Sequence, residues 1–338
     1  MKAIICNQPD HFSYVDRPKP VADRGQAVVR VRRIGICGTD LHAFRGRQPY
    51  FNYPRILGHE LAGEVAAVGD GVTDLQVGDA VTVMPYLECG NCIACRNGKT
   101  NCCTSLQVIG VHRDGGMQEF ISMPADHLLK APGLSYDELA LVECMAIGAH
   151  AVRRAGISPG EDVLVTGAGP IGCGIMQFAR IAGARVITMD VNEQRLELAR
   201  SWARVDATIK AGDEQSRQLV NELTAGNGAA VVFDATGSAQ AMMQGFEYVA
   251  HGGRYLLVSI VDATISFYDP DFHRRETTLL SSRNATREDF LWVLKCLAEK
   301  QLDLAPLISH RCRFESLIDE FSGWTSPDSG LVKGVVEI

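Results

Sequence analysis

One glycine-rich segment constrains the fold of this chain more than any other. GAGPIG at residues 167–172 matches the pattern G-x-G-x-x-G. It directly follows DVLVTG (162–167), an apolar run that predicts a buried strand, and it opens a helical pattern from Pro170 to about Ala182. A strand, a tight glycine turn and a helix in this order predict one βαβ unit of an open parallel sheet.

This turn is also predicted to bind phosphate. Gly167 permits the tight turn, Gly169 lets backbone amides approach a pyrophosphate, and Gly172 allows close packing of the helix on the strand. The helix N-terminus then offers amide groups and a partial positive charge. The residues expected to contact a dinucleotide here are Gly167, Gly169, Pro170, Ile171 and Gly172, together with Thr236 from the run AVVFDATG (230–237).

Asp190 ends the next predicted strand, RVITMD (185–190). A carboxylate at this point accepts hydrogen bonds from a ribose 2′-hydroxyl and repels a 2′-phosphate, which favours NAD over NADP. Arg195 lies nearby and weakens this preference, because an arginine can accommodate the additional phosphate. The alternative interpretation, that the glycines only form a tight turn, is disfavoured by the strand and helix on either side of them.

The character of the sequence changes near residue 150. Before it, short runs such as AVVRVRR (27–33) and GEVAAVG (63–69) predict a partly open, barrel-like all-β unit. After it, strands and helices alternate up to about Ser282, which predicts a doubly wound parallel sheet of six strands. The last residues, GLVKGVVEI, predict a strand that we expect to return to the first unit. The predicted domains are residues 1–150 with 283–338, and residues 151–282.

The chain has eleven cysteines among 338 residues, and a chain of this length without a secretory signal is not a small disulfide scaffold, so several thiols are expected to be metal ligands or buried side chains. Four of them follow the pattern C-x2-C-x2-C-x7-C, at Cys89, Cys92, Cys95 and Cys103. Four thiolates suit a tetrahedral zinc ion with no open position, so the lobe at 86–104 is predicted to be structural. Spacing alone does not choose between Cys102 and Cys103 as the fourth ligand.

A second group of candidate ligands comes from three distant segments, GICGTDLH (35–42), GHE (58–60) and LVEC (141–144). The candidate ligands in them are Cys37, His59, Glu60 and Glu143. Sulfur, nitrogen and oxygen ligands together predict a zinc ion that keeps an exchangeable position. A lone cysteine or histidine is more often structural, so this interpretation depends on the whole set occurring with the dinucleotide motif.

Composition narrows the classes of function. The chain is 46% hydrophobic and 22% charged, with a formal net charge of −7. The acidic balance makes nucleic acid and anionic membranes poor partners, and it disfavours a zinc-ribbon nucleic-acid binder. No run of 18 apolar residues predicts a transmembrane helix, and the start MKAIICNQPD lacks an apolar signal segment, so we expect a cytoplasmic protein.

Taken together, these motifs resemble those of the zinc-dependent medium-chain dehydrogenases/reductases over essentially the whole chain. The resemblance is carried by CGTD-x-H (37–42), GHE-x-x-G (58–63), the four-cysteine lobe, GAGPIG and Asp190. It implies an α/β protein with a GroES-like β-barrel catalytic domain and a Rossmann domain. It also implies NAD as cofactor, two zinc ions per chain (one catalytic and one structural) and a homo-oligomer, either a dimer or a tetramer.

Within that family the chain is similar to the polyol and sugar-acid branch. The stretches YPRILGHE, VIGVHRDGG, AHAVRRA and FHRRETTLLSSRNAT are most similar to enzymes that act on L-galactonate. The resemblance therefore implies hydride transfer between a secondary alcohol of a sugar acid and NAD. A neutral polyol such as sorbitol, or L-threonine, is the alternative substrate. A nucleotide-binding structural or regulatory protein is the non-enzymatic alternative, and the complete ligand set disfavours it.

The resemblance also suggests roles around the proposed catalytic zinc. Glu143 stands at the ligand position of the branch, with Cys144 where a proline is usual. Two alternatives for the ligand set stay open. Cys144 could bind the metal as a thiolate, and Glu60 could bind it directly or through water. The metal would lower the pKa of a substrate hydroxyl, Thr39 would take its proton, and His42 would pass that proton on. The alternatives are a turn residue for Thr39 and a structural histidine for His42.

Substrate contacts are assigned by position. Arg283 resembles a substrate-binding arginine of sorbitol dehydrogenases, and a guanidinium group suits the carboxylate of a sugar acid. His112 and Arg113 flank a Gly-Gly turn and are alternative carboxylate partners, whereas Tyr50 and Phe51 are candidates for the pocket wall. For each of these residues an ordinary surface position is an equally good interpretation.

Overall fold

The computed structural model describes residues 1–48, 51–212 and 215–338. The chain divides into two compact units, which we call unit 1 (Met1–Cys144 and Thr286–Ile338) and unit 2 (Met145–Ala285). The sequence predicts domain ends at residues 150 and 282. The units divide at Cys144/Met145, within the helix Tyr136–Ala155 that also contains residue 150, and at Ala285/Thr286.

The N-terminal part of unit 1 is mainly β structure. Its strands are β1 (Lys2–Gln8), β2 (His11–Asp16), β3 (Gln26–Ile36), β4 (Glu60–Val68), β5 (Ala80–Val83), β6 (Tyr86–Leu87), β7 (Gln107–Val108), β8 (Phe120–Pro124) and β9 (Leu128–Lys130). Its helices are α1 (Gly38–Phe44) and α2 (Ile93–Arg96), with 3₁₀ turns at Thr100–Cys102 and Ala125–His127, and α3 (Tyr136–Ala155) begins in it. The valines and isoleucines of β3 are buried, which explains why this long strand forms the centre of the sheet.

Unit 2 alternates strands and helices. The strands are β10 (Asp162–Thr166), β11 (Arg185–Asp190), β12 (Ala207–Lys210), β13 (Ala229–Asp234), β14 (Val249–Leu257) and β15 (Thr278–Ser281). The helices are α4 (Pro170–Ile181), α5 (Glu193–Leu198), α6 (Gln215–Leu223), α7 (Ala239–Gly245) and α8 (Asp269–Arg274), with a π turn at Ala199–Ala203 and a 3₁₀ turn at Phe246–Tyr248. The strand order is β12-β11-β10-β13-β14-β15, and every neighbouring pair is parallel. The predicted six-stranded, doubly wound parallel sheet is therefore confirmed.

The chain then returns to unit 1 and ends there. This last part contains α9 (Arg287–Ala298), β16 (Ile308–Arg313), α10 (Leu317–Trp324) and β17 (Lys333–Glu337), with 3₁₀ turns at Ala305–Leu307, Phe314–Ser316 and Pro327–Ser329. The main sheet of unit 1 has the order β16-β17-β3-β4-β5-β9, and β8 also pairs with β3. None of the helices formed by the described residues combines the length and the apolar character needed to cross a bilayer.

Strand β3 has neighbours that come from opposite ends of the chain. Gly35 of β3 lies opposite Glu60 of β4, and Ile36 lies opposite Gly334 of β17, both in antiparallel register. Residues close to the C-terminus therefore lie near the GHE segment, although they are far from it in sequence.

Candidate active site

Cys37 lies in the turn between β3 and α1, where its side chain caps the helix. Its Sγ accepts a hydrogen bond from the Thr39 N–H (3.5 Å), and its own N–H donates to the Asp40 carboxylate (2.9 Å). These reciprocal bonds form a capping box. Asp40 also accepts a hydrogen bond from the Gly58 N–H (3.0 Å). This buried carboxylate therefore fixes the Cys37 turn against the start of the GHE segment.

His59 and Glu60 complete a compact group with Cys37. One potential ligand atom from each of the three lies within 4.8 Å of the others, and both His59 and Glu60 are buried. The His59 Nδ1 atom is buried without a hydrogen-bond partner, 3.7 Å from the Asp40 carboxylate. Burial lowers the pKa of His59, but the negative charges of Asp40 and Cys37 outweigh it and raise this pKa well above its usual value. The group is thus an electronegative pocket suited to a cation.

Glu143 lies on α3 and is held by a tyrosine. The Tyr86 hydroxyl, from β6, donates a hydrogen bond to the Glu143 carboxylate, and both side chains are buried. Burial, together with the charge of Glu143, raises the pKa of Tyr86 well above its usual value, so its hydroxyl stays a donor. Within the described residues, the compact ligand group contains Glu60 but not Glu143.

Cys144 follows Glu143 and is buried, 1% exposed. Burial raises the pKa of its thiol well above the usual value, an effect that the Lys333 charge only partly opposes. A protonated thiol is a poor metal ligand. The environment of Cys144 therefore favours the interpretation of this residue as a small buried side chain.

Thr39 and His42 lie three residues apart on α1, so they lie on the same side of the helix. Thr39 is partly buried, and His42 is exposed. Thr39 therefore places a hydroxyl group close to Cys37, and His42 places an imidazole at the surface on the same side of the helix.

The four-cysteine lobe brings four sulfur atoms together. Those of Cys89, Cys92, Cys95 and Cys103 all lie within 4.8 Å of one another. Cys103 Sγ accepts a hydrogen bond from the Cys89 N–H at 3.3 Å. Hydrogen bonds from the backbone N–H groups of Cys95 and Thr104 lower the pKa of Cys92 to about 5, which favours the thiolate form that binds metal. Cys102 is exposed and does not belong to this group.

Unit 2 contains a cleft of about 1120 Å³, and four of the predicted cofactor residues, Gly167, Asp190, Arg195 and Thr236, lie in its wall. The Asp190 carboxylate is 5% exposed and accepts hydrogen bonds from the backbone N–H groups of Ala168 (2.6 Å) and Asn192 (2.7 Å). This carboxylate is therefore fixed at the carboxyl end of β11, where parallel sheets bind nucleotides.

The glycines of the turn have different structural requirements. Gly167 has φ = +92°, and a Cβ there would lie 2.6 Å from the Ala235 carbonyl oxygen. A Cβ at Gly172 would lie only 1.8 Å from the Gly167 carbonyl oxygen, whereas one at Gly169 would meet nothing closer than 3.9 Å. Gly169 caps α4, which then begins with Pro170 and Ile171. Open space above Gly169 is what a close phosphate contact would require.

Thr236 is positioned by Asp234, a residue that sequence reasoning missed. The N–H and hydroxyl of Thr236 donate to the buried Asp234 carboxylate (3.1 and 3.0 Å), which also accepts from the Thr166 hydroxyl (3.1 Å). The sequence also gave no role to Asp40, Tyr86 or Lys333, whose Nζ contacts the Glu60 carboxylate. Only Asp40 had a local signal, since an acidic residue three positions after a capping side chain is typical of a helix start.

The candidate substrate residues are distributed over both units. Arg283 is exposed and follows β15 in unit 2, whereas His112 and Arg113 are exposed in unit 1. His112 Nδ1 accepts a hydrogen bond from the Val108 N–H (3.0 Å), and the Phe51 ring packs on Tyr53 with centroids 4.8 Å apart. Tyr50 lies outside the described residues.

Comparison with known proteins supports the same kind of site. Residues 23–133 match the alcohol dehydrogenase GroES-like domain, and residues 170–299 match the zinc-binding dehydrogenase domain. The chain is 40% identical to L-galactonate-5-dehydrogenase of Escherichia coli (strain K12), over 99% of this chain and 98% of that protein.

Solved structures are similar over the whole chain. The alcohol dehydrogenase RspB of E. coli CFT073, solved with its cofactor NADH, superposes with a TM-score of 0.93 at 29% identity, over 100% of this chain and 99% of that one. A zinc-binding dehydrogenase of Sinorhizobium meliloti 1021 bound to NADP gives a TM-score of 0.90 at 28% identity, with the same coverage. On this evidence the chain is an oxidoreductase and belongs to the zinc-type medium-chain alcohol dehydrogenase family.

Proposed function

We propose that this dehydrogenase oxidises a secondary alcohol of a sugar acid, in the class of L-galactonate, and transfers the hydride to NAD. The observation that carries this proposal is the 40% identity to L-galactonate-5-dehydrogenase over nearly the full length of both chains. The proposed reaction is reversible and takes place in the presence of two zinc ions per chain.

The residues of unit 1 fit a metal ion at Cys37. The Cys37 thiol, the His59 imidazole and the Glu60 carboxylate converge within 4.8 Å, and both His59 and Glu60 are buried. The nearby Asp40 carboxylate is placed to orient the ring once the other ring nitrogen is bound. We propose Cys37, His59 and a glutamate as ligands, with Glu143 as the third and Glu60 next to it. A zinc ion held there supplies Lewis acidity, which lowers the pKa of a substrate hydroxyl.

The residues of α1 provide the route for the proton. Thr39 lies in the turn that Cys37 caps, so its hydroxyl can relay the substrate's proton by taking it up while it gives its own proton to the next acceptor. His42, on the same side of the helix and exposed, can carry that proton to solvent. Thr39 and His42 are therefore the proposed acid–base groups, and they act only on protons.

Unit 2 is proposed to hold the dinucleotide in its cleft. The amides at the start of α4 would meet the pyrophosphate, and Asp190 would accept hydrogen bonds from the ribose. The charge of Asp190 disfavours a 2′-phosphate, which supports NAD as the cofactor. Gly167, Gly169, Pro170, Ile171 and Gly172, with Arg195 and Thr236, are the further proposed contacts.

The four sulfur atoms of Cys89, Cys92, Cys95 and Cys103 fit a zinc ion with no position left for substrate. We assign this ion a structural role. A homo-oligomer is also proposed, because β15 is the last strand of its sheet and carries the exposed Leu279. The molar mass in solution would test this assembly.

The substrate proposal is tested by following NADH formation with aldonates, neutral polyols and L-threonine. We expect kcat/KM for an L-galactonate-like acid to exceed that for the uncharged polyols by at least about tenfold, since a carboxylate contact adds ~1.4 kcal/mol or more. Equal turnover of sorbitol and the acid would contradict the sugar-acid proposal.

The metal proposal is tested in the same assay. Cys37→Ser should abolish turnover and remove one zinc per chain, while NADH binding measured by fluorescence stays close to that of the wild type. Cys312→Ser, a cysteine in β16 outside both sulfur-containing ligand groups, is the matched control and should leave turnover and zinc content unchanged. Full activity of the Cys37→Ser variant would show that the ligand assignment is wrong.

A further inference from the structure

Lys333 is a buried lysine that the mechanism above does not use. Its side chain is 2% exposed and that of Glu60 is fully buried. The Lys333 Nζ donates to both Glu60 oxygens, at 2.6 and 2.8 Å, and to the Ile36 carbonyl oxygen at 3.3 Å. Burying an ammonium group costs free energy unless it is paired and hydrogen-bonded, and here all three contacts of the Lys333 Nζ are to oxygen atoms.

The contact spans three adjacent strands. Strands β17 and β4 lie on opposite sides of β3, so their backbones are roughly 10 Å apart. Only a long side chain can bridge that gap, and it must cross the face of β3. Gly35 makes this possible, because a Cβ at this position would lie 2.2 Å from a Glu60 carboxylate oxygen.

We propose that Lys333 is a positioning residue that holds Glu60 away from the metal, so that Glu143 completes the ligand set with Cys37 and His59. This inference rests on the proposed metal site. Distance alone does not exclude Glu60, since its carboxylate lies within 4.8 Å of the Cys37 and His59 ligand atoms. Charge favours the assignment: if Glu60 left Lys333 for the metal, the buried ammonium group would lose its carboxylate partner.

The charge balance of the buried site agrees with this assignment. A divalent metal and Lys333 together carry three positive charges, and ionised Cys37, Glu60 and Glu143 together carry three negative charges. Asp40 is compensated separately, by the backbone N–H groups of Cys37 and Gly58. Lys333 thus allows the site to hold a second carboxylate next to the metal without binding it to the metal.

Glu143 is prepared for the ligand role in a different way. Its hydrogen-bond partner is the uncharged Tyr86 hydroxyl, which donates to one of the two carboxylate oxygens. A single neutral hydrogen bond orients a carboxylate without cancelling its charge. The two glutamates therefore differ in their buried partners, one cationic and one neutral.

The test is the absorption spectrum of the enzyme with cobalt(II) in place of zinc at the Cys37 site. The intensity of its d–d bands falls as the coordination number rises, so this spectrum reports an added ligand independently of turnover. We expect Glu60→Gln to leave the wild-type spectrum unchanged. We expect Lys333→Met to release Glu60 onto the metal, lower the band intensity and bind cobalt about tenfold more tightly. The double variant, Glu60→Gln with Lys333→Met, should restore the wild-type spectrum.

Two controls separate positioning from folding. Lys130→Met removes another lysine of the same sheet, one that pairs with Asp79 at 2.7 Å, and should not alter the cobalt spectrum. If Lys333→Met fails to fold, Lys333→Gln, which removes the charge but keeps hydrogen-bond donors, makes the same comparison with Glu60 still present.

Three results would overturn the inference. A changed spectrum in Glu60→Gln would mean that Glu60 is already a ligand. A folded Lys333→Met with the wild-type spectrum would mean that Lys333 does not hold Glu60 back. Absence of cobalt outside the four-cysteine lobe in the wild type would overturn the metal site itself, and the inference with it.

Discussion

Single carboxylates take different roles in this chain according to their partners. Asp190 accepts from two backbone N–H groups and faces the cleft, whereas Asp234 accepts from Thr166 and Thr236 below it. Burial raises the pKa of Asp234, against the effect of these hydrogen bonds. The residue type alone does not distinguish a group that contacts a ligand from one that supports the wall of the cleft; their neighbours do.

At this scale we predict that Asp190 sets the cofactor preference. Asp190→Asn keeps the size of the side chain but removes the charge that repels a 2′-phosphate. The ratio of kcat/KM for NAD over NADP should fall by roughly tenfold to a hundredfold, or ~1.4–2.8 kcal/mol. Steady-state kinetics with both cofactors measures this ratio.

Asp206→Asn is the matched control for that substitution. Asp206 also accepts from a backbone N–H, that of Val186 at 2.7 Å, but it does not line the described cleft. In Asp206→Asn the ratio of kcat/KM for NAD over NADP should stay at the wild-type value. An unchanged ratio in Asp190→Asn would contradict the ribose assignment.

Among secondary-structure elements, local patterns predicted the unit 2 strands well and long-range contacts poorly. RVITMD forms β11 over the predicted residues, and Thr286 with Asp289 forms the capping box of α9. Strand β14 begins at Val249, before the Gly-Gly pair at 252–253 that interrupts its apolar pattern.

The site residues also divide into those that local motifs predicted and those that depend on long-range contacts. Cys37 and His59 were predicted from motifs that are local in sequence. Tyr86 and Lys333 were not, since a polar residue in a strand normally predicts a solvent-facing position. Their partners, Glu143 and Glu60, become visible only through pairing between strands and helices that are far apart in sequence.

The glycines at the start of α4 yield a prediction for that element. In Gly172→Ala the new Cβ would overlap the Gly167 carbonyl oxygen, so α4 must shift and the free energy of unfolding should fall by about 1–3 kcal/mol. Gly169→Ala has open space and should change it by less than about 1 kcal/mol. Denaturant unfolding measures both variants.

The same pair separates stability from cofactor binding. Gly169→Ala should weaken NADH binding several-fold despite near-normal stability, because its methyl group would occupy the space of the pyrophosphate. Wild-type NADH affinity in this variant would mean that the phosphate does not approach Gly169.

The four-cysteine lobe yields a second prediction for a local element. Cys103→Ser should lose one zinc per chain and lower the thermal stability, because a tetrahedral structural zinc needs all four ligands. Cys102→Ser changes the neighbouring, exposed cysteine and should retain two zinc ions and wild-type stability. Metal analysis and thermal unfolding of the two variants measure this difference. The reverse result would show that Cys102 is the ligand.

The two units are proposed to bind different cofactors, zinc in unit 1 and the dinucleotide in unit 2. Both metal-ligand groups lie in unit 1, and the large cleft lies in unit 2. Each unit has its own hydrophobic core. Binding stabilises the part of a protein that holds the ligand.

Hydrogen exchange followed by mass spectrometry can therefore assign each ligand to its unit. Removal of zinc by a chelator should increase exchange in segments around residues 37, 59 and 89–103, with little change in β10, β11 and β13. NADH should slow exchange around residues 166–195 and 234–240. Protection of the cysteine lobe by NADH, with none in the parallel sheet, would contradict this assignment.

The position of Lys333 has a consequence for biosynthesis. Cys37, His59, Glu60 and Glu143 all leave the ribosome well before Lys333, which follows them in sequence by 190 residues or more. During translation Glu60 has no cation opposite it, and it gains one only when β17 docks beside β3. The charge of the site is therefore completed only after all the proposed ligand residues have been made and β17 has docked beside β3.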